Sequence, residues 1–152
     1  MNIVEKLPLP ISGLILALLS LGNLLYDINP NLKYVCIQGE SVGSVQGNPL
    51  KLSEDDLYVF NFIDSDKGRI SSVDGKEIIE SWGMKWVPIL DTNFIMPTDM
   101  EEFKVMATAK SVVNPKVLRE GIVLRDPTTD LSFKNVSREF LLKHQDDLVE
   151  WD

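Results

Sequence analysis

The sequence predicts an α+β domain of antiparallel strands and short helices, preceded by a hydrophobic helix. Apolar runs of strand length are separated by turn residues, and short segments with helix caps lie between them. With 152 residues and a hydrophobic content of 44%, the chain can bury one core of ordinary size. We therefore predict one domain over residues 28–152 and a separate hydrophobic segment over residues 1–27.

The hydrophobic segment contains an uncharged run, LPLPISGLILALLSLGNLLY, over residues 7–26 (Leu7 to Tyr26). Its length is close to the ~20 residues that an apolar helix needs to cross a bilayer. Lys6 precedes the run and no clear cleavage motif follows, so a membrane-spanning or uncleaved anchor competes with a signal peptide. A helix buried inside the soluble domain is a further alternative. The run predicts membrane association if the helix inserts.

Two apolar runs, residues 33–37 and 57–63, are predicted strands, and the second is apolar enough to be buried on both faces. Gln38-Gly39-Glu40 follows the first strand and places a carboxylate in a loop position where ligands commonly bind. Phe60 and Phe62 are expected on the same side of the second strand. Phe60 there either stacks on a purine or packs in the core.

The middle of the chain predicts a helix over residues 75–82 and then a strand over residues 86–90, with Pro88 at an edge or end. Asp99 is a predicted N-cap for a helix over residues 100–110. Glu102 lies three residues after that cap, at the spacing of a capping box.

The C-terminal third predicts a β-hairpin, because β-prone residues 122–124 precede turn residues 126–130 and alternation resumes at residue 131. A last helix is predicted from Arg138 to about residue 145, capped by Ser137. Glu120, Arg125 and Lys134 lie on the hairpin and together suit a metal-bound polyphosphate. An ordinary surface hairpin with charged edges is the alternative.

Charge and cysteine content restrict the class of protein. The net charge of −8 argues against a protein that coats nucleic acid through bulk electrostatics. Residues 104–143 nevertheless carry eight bases against four acids, so any polyanion should contact this third of the chain. Cys36 is the only cysteine, which excludes an internal disulfide and indicates a reducing compartment such as the cytoplasm.

Four short motifs, in order, resemble ATP-dependent RNA ligases over residues 33–145. They are Gln38-Gly39-Glu40 with Gln46-Gly47-Asn48, then Tyr58-Val59-Phe60-Asn61, then Arg119-Glu120-Gly121-Ile122-Val123-Leu124-Arg125, then Ser132-Phe133-Lys134-Asn135-Val136-Ser137. The branch most similar has a nucleotidyltransferase domain that ends soon after its last motif. The resemblance implies a partial nucleotidyltransferase domain of ATP-grasp-like ligase fold, a role in RNA repair, ATP and Mg²⁺ as cofactors, and RNA ends as partners.

In that family a lysine attacks ATP to form a covalent adenylate, AMP passes to an RNA 5′-phosphate, and a 3′-hydroxyl then displaces AMP. The resemblance implies that Glu40 binds the ribose and that Phe60 stacks on adenine. It also implies that Glu120 helps to hold the metal ion and that Lys134 engages the phosphates, which makes these two the implied catalytic residues. The implied nucleotide-binding residues are Glu40, Phe60, Asn61, Arg125 and Lys134, with Asn61 replacing an aspartate and Arg125 matching a basic residue of relatives.

The chain departs from the family at the nucleophile. No Lys-x-Asp-Gly motif precedes Glu40, and Lys6 and Lys33 are poor substitutes in their sequence contexts. Residues 72–75 read Ser-Val-Asp-Gly but follow the Phe60 strand, so we interpret them as a turn. Ser132 stands where several relatives have a lysine. We therefore expect a domain that cannot form the adenylate alone, and that would need a missing N-terminal ligase half as a partner.

The first 25 residues are similar to the first helix of the tellurite-resistance and dicarboxylate transporter family. Pro8-Leu9-Pro10, Ile11-Ser12-Gly13-Leu14 and Leu21-Gly22-Asn23 carry this resemblance. The simplest interpretation is a ligase domain whose N-terminal strands are replaced by an unrelated hydrophobic helix. The alternative is a non-catalytic nucleotide- or RNA-binding module, anchored to a membrane through residues 7–26.

Overall fold

The computed structural model describes residues 1–7, 14–17, 31–44, 48–129 and 131–144, with residues 14–17 described as backbone. Nine strands and three helices lie in these ranges. The strands are β1 Asn2–Lys6, β2 Leu14–Ala17, β3 Val35–Val42, β4 Asp56–Asp64, β5 Gly68–Arg69, β6 Lys85–Trp86, β7 Ile89–Asp91, β8 Gly121–Arg125 and β9 Ser132–Val136. The helices are α1 Ser72–Ser81, α2 Met100–Met106 and α3 Arg138–Lys143.

The described strands form two sheets. The first sheet has the order β7-β1-β8-β9 and is antiparallel throughout. The second has the order β2-β3-β4-β5, also antiparallel, and β6 lies parallel beside β4. The predicted α+β class with antiparallel sheets is therefore confirmed.

The N-terminal segment differs from the prediction. The helix predicted over residues 7–26 is wrong at Leu14–Ala17, which is strand β2 and pairs with β3 through Ile37 to Glu40. Hydropathy alone does not distinguish a short buried strand from a helix, and here pairing with β3 satisfies the backbone. The rest of that run, residues 8–13 and 18–26, lies outside the described residues. Across the ranges that are described, no helix is long and apolar enough to cross a membrane.

Strand β1 belongs to the first sheet, although the sequence assigned residues 1–27 to a separate segment. Asn2–Lys6 lies between β7 and β8, and each of its five side chains is buried. Five consecutive buried residues are typical of a central strand covered on both faces. The sheet that carries the predicted hairpin is therefore built on the first residues of the chain.

The main core lies between the two sheets. Val4 and Val123 of the first sheet pack in one cluster with Ile37 and Phe62 of the second, and Ile79 of α1 joins them. A smaller cluster covers the opposite face of the first sheet. It contains Ile3, Ile122 and Leu124, with Phe103 and Met106 of α2 packed against them. Adjacent strand residues such as Ile3 and Val4 enter different clusters because strand side chains alternate between faces.

The strand predicted over residues 86–90 is two strands in different sheets. β6 pairs with β4 and β7 pairs with β1, and the chain passes between the sheets at Val87 and Pro88. Pro88 cannot donate a ladder hydrogen bond, which ends the first pairing. Its carbonyl instead accepts from the backbone N–H of Glu5 at 2.8 Å. This crossover brings Val87 to the space between the sheets.

The helix boundaries differ from the predicted ones, and N-cap side chains determine where α1 and α2 begin. α1 begins at Ser72, because the Ser71 side chain accepts from the backbone N–H of Asp74. Residues 72–75 are therefore its first turn rather than the predicted loop turn. Asp99 caps α2 as predicted, accepting from the backbone N–H of Glu101 at 2.8 Å. The helix ends at Met106, earlier than predicted.

The C-terminal hairpin and last helix are confirmed. β8 and β9 pair in register around a turn in which Asp126 accepts from the backbone N–H of Thr128 at 2.8 Å. Ser137 caps α3, and Phe140 is buried while Leu141 is exposed. Asp130 and Gln145, where the turn and the helix were predicted to end, lie outside the described residues, as does the pair Gln46 and Gly47.

Candidate functional site

A cavity of about 240 Å³ opens between the two sheets at one edge of the main core. Its walls come from both sheets, the residue after β1 and the crossover before β7. The lining residues are Val4, Glu5, Lys6, Leu7, Glu40, Phe60, Asn61, Arg69, Val87, Val123, Arg125, Ser132 and Lys134. Charged groups are thus brought together in a partly buried space, where electrostatic interactions are stronger than in water.

The register of the first sheet sets the order of side chains along the cavity. Val4, Val123 and Lys134 are paired across three strands and form one row. Arg125 lies in the next row of the same face, whereas Lys6 lies one row away in the opposite direction. Lys6 and Arg125 are therefore separated by four residue steps, or roughly 13 Å. They mark opposite ends of the cavity.

Lys6 occupies one end and is almost fully buried, with a relative exposure of 9%. Its Nζ donates a hydrogen bond to Glu120 Oε1. Burial lowers the pKa of the Lys6 amine to about 8; Glu40 opposes this shift and Lys134 adds to it. A lysine whose pKa is lowered in this way has a larger neutral, nucleophilic fraction near neutral pH.

Glu40 lies inside strand β3, not in the loop predicted after residue 37, because β3 continues to Val42. Its carboxyl interacts electrostatically with Lys6 and its relative exposure is 4%. Burial raises the pKa of its carboxyl to about 7, against the opposing effects of Lys6 and Lys134. Its Oε1 is buried and has no hydrogen-bond partner among the described residues. Since a buried unsatisfied oxygen is costly, this oxygen is suited to accept from a ligand hydroxyl or to contact a cation.

A β-bulge in β4 shapes the middle of the cavity. The pairing with β3 shifts register between Gln38 and Gly39, which pair with Asn61 and Val59 and leave Phe60 as the extra residue. Bulges redirect side chains, and here the neighbouring residues Phe60 and Asn61 both line the cavity. Phe62 is fully buried in the main core, and Phe60 packs against the same cluster while it also lines the cavity.

Arg125 occupies the other end. Its Nη1 donates to the carbonyl oxygen of Phe60 at 2.8 Å and to Asn61 Oδ1. Asn61 Nδ2 in turn donates to Gln38 Oε1 at 2.6 Å. The guanidinium carbon lies 5.9 Å from the centre of the Phe60 ring, within range of a cation–π contact. Burial, and secondarily the neighbouring Arg69, lower the pKa of Arg125 to about 10.

Gly121 lies where strands β8 and β9 approach each other closely. Lys6 and Gly121 are paired in the sheet, and Glu120 directly precedes that pair. A Cβ on Gly121 would overlap the carbonyl oxygen of Asn135 and lie 2.9 Å from Val136 Cα. Both are backbone atoms, so a larger residue would force β8 and β9 apart. This close approach explains on steric grounds why a glycine follows Glu120 at position 121.

The structure brings most of the predicted site residues together. Five of them line the cavity, namely Glu40, Phe60, Asn61, Arg125 and Lys134. The sixth, Glu120, contacts Lys6 at its edge. Lys6, rejected as a nucleophile from the sequence because no Asp-Gly follows it, also lines the cavity. An available signal was a short strand that ends in lysine, 34 positions before Glu40.

Two carboxylates at the Lys6 end have the donor chemistry that a hard divalent cation requires. The orphaned Oε1 of Glu40 and the carboxylate of Glu120 are both oxygen donors near Lys6. No group of three or more histidine, cysteine, aspartate or glutamate side chains within the described ranges forms a complete metal site. The two carboxylates therefore fit a hard divalent cation that takes its remaining ligands from water or a bound molecule.

The chain matches the family model described as RNA ligase over residues 13–143, a span that begins after Lys6. No curated protein matches the chain.

Among solved structures, the chain is similar to Naegleria gruberi RNA ligase with PPi, at 33% identity and a TM-score of 0.67, covering 74% of this chain and 35% of that one. A variant of that ligase with ATP and Mn gives 30% identity and a TM-score of 0.69, covering 82% and 37%. Another variant, with AMP and Mn, gives 31% identity and a TM-score of 0.69, covering 82% and 38%. The chain thus spans little more than a third of the length of these relatives.

Proposed function

Because the chain belongs to the RNA ligase family, we propose that its cavity binds ATP and that Lys6 Nζ accepts AMP from it. The observation that carries the proposal is the buried Lys6 amine, which lines the cavity in contact with Glu120. An amine with a pKa near 8 is a suitable nucleophile at neutral pH. The proposal supplies the nucleophile that the missing Lys-x-Asp-Gly motif had left unassigned.

The reaction proposed is a single phosphoryl transfer. Lys6 Nζ loses one proton to water, attacks the α-phosphorus of ATP to form an N–P bond, and loses a second proton to water as the phosphoramidate forms. The bond between the α-phosphorus and the oxygen that bridges to the β-phosphate breaks, and pyrophosphate leaves with the bonding pair. The chain contributes positioning and charge neutralisation, which are the main catalytic terms in phosphoryl transfer.

The cavity offers a partner for each part of the nucleotide. We propose that the base stacks on Phe60, across from Val123 of the first sheet, and that Glu40 accepts from a ribose hydroxyl. Lys134 is close enough to Lys6 and Glu40 for its charge to shift the pKa of both. We therefore propose that Lys134 neutralises phosphate oxygens at this end of the cavity. This order places the α-phosphate at the Lys6 end and the base toward Arg125.

Glu120 is the residue that would hold Mg²⁺ in this proposal, together with phosphate oxygens of the nucleotide. Such an ion, when bound, neutralises charge that develops on the transferring phosphoryl group. The relatives solved with Mn and ATP or AMP support a divalent cation as cofactor. Glu120 also orients Lys6 through its hydrogen bond, which keeps the amine at the edge of the cavity.

The later steps are proposed by membership of the family. AMP passes from Lys6 to an RNA 5′-phosphate, and an RNA 3′-hydroxyl then displaces AMP to join the ends. The excess of basic residues over residues 104–143 supports contact with RNA on this part of the chain. A reducing compartment, proposed to be the cytoplasm, agrees with the single cysteine.

A second candidate is a nucleotide-binding module that forms no adenylate. It is favoured by one observation, the sequence Lys6-Leu7-Pro8-Leu9 in place of Lys-x-Asp-Gly. Both candidates place ATP in the same cavity. They differ in whether a covalent bond to the protein forms.

Transfer of label from ATP separates the two candidates. The purified chain is incubated with Mg²⁺ and ATP labelled on the α- or the γ-phosphate, and then run on a denaturing gel. We expect label on the protein from α-labelled ATP alone, and its loss in Lys6→Met. The variant Lys33→Met, at an exposed lysine, should retain the label. ATP-dependent thermal stabilisation without label would favour the second candidate, and absence of both would refute ATP binding.

A further inference from the structure

We infer that Arg125 distinguishes nucleobases in this cavity, its Nε–H donating to a ring nitrogen of a purine stacked on Phe60. Asn61 and Gln38 act as positioning residues that hold this guanidinium in place. The inference rests on the proposed function, since it requires a nucleotide in the cavity. It adds an atomic basis for base selection, and it gives a role to Gln38, which does not line the cavity.

Within the described ranges, the hydrogen bonds of Arg125 to the protein leave its buried Nε–H without an acceptor. Its Nη1 is used by two oxygens of β4, the Phe60 carbonyl and Asn61 Oδ1. Its Nε is buried and has no hydrogen-bond partner in the part of the chain that the structure describes. A buried donor without an acceptor is unfavourable, so an acceptor supplied by a ligand is favoured at this point.

The position of Arg125 near Phe60 indicates which ligand group can accept a hydrogen bond from its Nε–H. Its guanidinium carbon is 5.9 Å from the centre of the Phe60 ring, so a base stacked on Phe60 has an edge beside the guanidinium. Purines present several ring nitrogens with in-plane lone pairs along their edges, whereas uracil and cytosine present fewer. A charged donor also forms stronger hydrogen bonds than a neutral one. A purine stacked on Phe60 can therefore supply the acceptor that Arg125 Nε–H lacks.

The electrostatic surroundings keep this guanidinium available. Among the described residues, the charged group that shifts the pKa of Arg125 is Arg69, which is itself a cation. The two protein oxygens that accept from Arg125 are a carbonyl and an amide oxygen, both neutral. Even with its pKa lowered to about 10, Arg125 stays protonated at neutral pH. Neutral partners hold it without neutralising its charge.

Gln38 controls the orientation of Asn61. Gln38 Oε1 accepts from Asn61 Nδ2 at 2.6 Å, which turns the Asn61 oxygen toward Arg125. If the Asn61 amide rotated, its NH₂ group would face the guanidinium, and two donors would meet. Loss of Gln38 should therefore loosen Arg125 without removing any group from the cavity wall.

Base analogues test the inference atom by atom. Dissociation constants for ATP, 1-deaza-ATP, 3-deaza-ATP and 7-deaza-ATP are measured by calorimetry in the presence of Mg²⁺. For the unmodified chain we expect one of the three analogues to bind about 10- to 100-fold more weakly than ATP, as expected for a hydrogen bond to a charged donor. In Arg125→Met that same analogue and ATP should bind with equal affinity. The exposed Arg138→Met is the matched control and should keep the original ratio.

In Gln38→Leu the ratio of the analogue's dissociation constant to that of ATP should be intermediate. Arg125 is present in this variant but is held less firmly by Asn61. If Arg125→Met does not fold, the Gln38→Leu ratio decides: a reduced ratio supports the inference and an unchanged ratio refutes it. Equal binding of all three analogues and ATP by the unmodified chain would also refute it, while the proposed function would stand. No binding of ATP would refute both.

Discussion

Lys6 Nζ donates to Glu120 Oε1 although 114 positions separate the two residues in the chain. The sheet creates this contact, because Lys6 is paired with Gly121 and Glu120 directly precedes that pair. The proposed nucleophile is thus placed by strand register rather than by the local motif that the family uses. The ion pair orients the amine toward the cavity and makes Glu120 its positioning residue.

Replacing Glu120 should impair adenylation more than nucleotide binding. In Glu120→Gln the amine loses its charged acceptor and moves from the attacking position, while Phe60 and Lys134 remain. Because misplacement of a reacting group by about 1 Å can cost 10²-fold, we expect transfer of AMP to slow by at least about that factor. Single-turnover label transfer and the dissociation constant of ATP are the two measurements.

The control is Glu101→Gln, at an exposed ion pair with Lys104 far from the cavity. This control should leave the rate of AMP transfer and the dissociation constant of ATP unchanged. Equal rates of AMP transfer in Glu120→Gln and the unmodified chain would contradict the positioning role.

The Lys6 amine should titrate well below an ordinary lysine. Because burial lowers its pKa to about 8, the neutral fraction rises about tenfold per pH unit up to pH 8 and is constant above it. Acetylation of the nucleotide-free protein by a trace reagent, measured at Lys6 by peptide mass spectrometry, should therefore level off near pH 8. A lysine-containing peptide is the reference, since its reactivity rises to about pH 10. A Lys6 profile that follows the peptide would show that the amine is not perturbed.

Glu40 should make the metal-free protein less stable as pH rises. Its pKa is about 7 in the folded state against an ordinary 4.5, so the folded state binds the extra proton between these values. Stability from this group is complete below pH 4.5 and is lost as pH rises to 7, by on the order of 3 kcal/mol. Urea unfolding in a chelating buffer measures the effect.

Glu40→Gln should flatten this part of the stability profile, because the amide does not titrate. The exposed Glu54→Gln is the control and should keep the slope of the unmodified chain. If Glu40→Gln and the unmodified chain lose stability equally between pH 4.5 and 7, Glu40 is not the group responsible.

Gly121→Ala should destabilise the fold. Its Cβ would overlap the carbonyl oxygen of Asn135, and a backbone atom cannot move aside as a side chain does. Overpacking of this kind typically costs about 1–3 kcal/mol. Urea unfolding should show that loss. Gly68→Asn is a suitable control, because the space around Gly68 is open and asparagine tolerates its φ of +76°; a Gly121→Ala variant as stable as this control would contradict the steric account.

The hairpin and the last helix were predictable from local patterns. Three short-range features predicted this region: the turn residues at Asp126, the cap at Ser137, and the spacing of Glu120 and Lys134. The pairing of β8 with β9 and the Ser137 cap confirm the hairpin and the helix. Glu40 and Phe60 were predicted from the order of their motifs, and the structure places both on the cavity wall. These features depend on neighbouring residues, which a sequence displays directly.

The N-terminal strands and Lys6 depended on long-range pairing. β1 is buried because β7 and β8, more than 80 positions away, lie on either side of it. Likewise Leu14–Ala17 is a strand because β3 pairs with it, although its composition also suits a helix. The bulge that turns Phe60 and Asn61 into the same cavity is a register shift, which hydrophobic periodicity does not reveal.

The identity of the residue that receives AMP tests the central claim most directly. The full chain is incubated with ATP and Mg²⁺, digested, and examined by tandem mass spectrometry for peptides that carry AMP. We predict AMP on the peptide that contains Lys6, linked through Nζ. AMP on another lysine, such as Lys33 or Lys134, or ATP binding with no adenylated lysine, would contradict the assignment of Lys6 as the nucleophile.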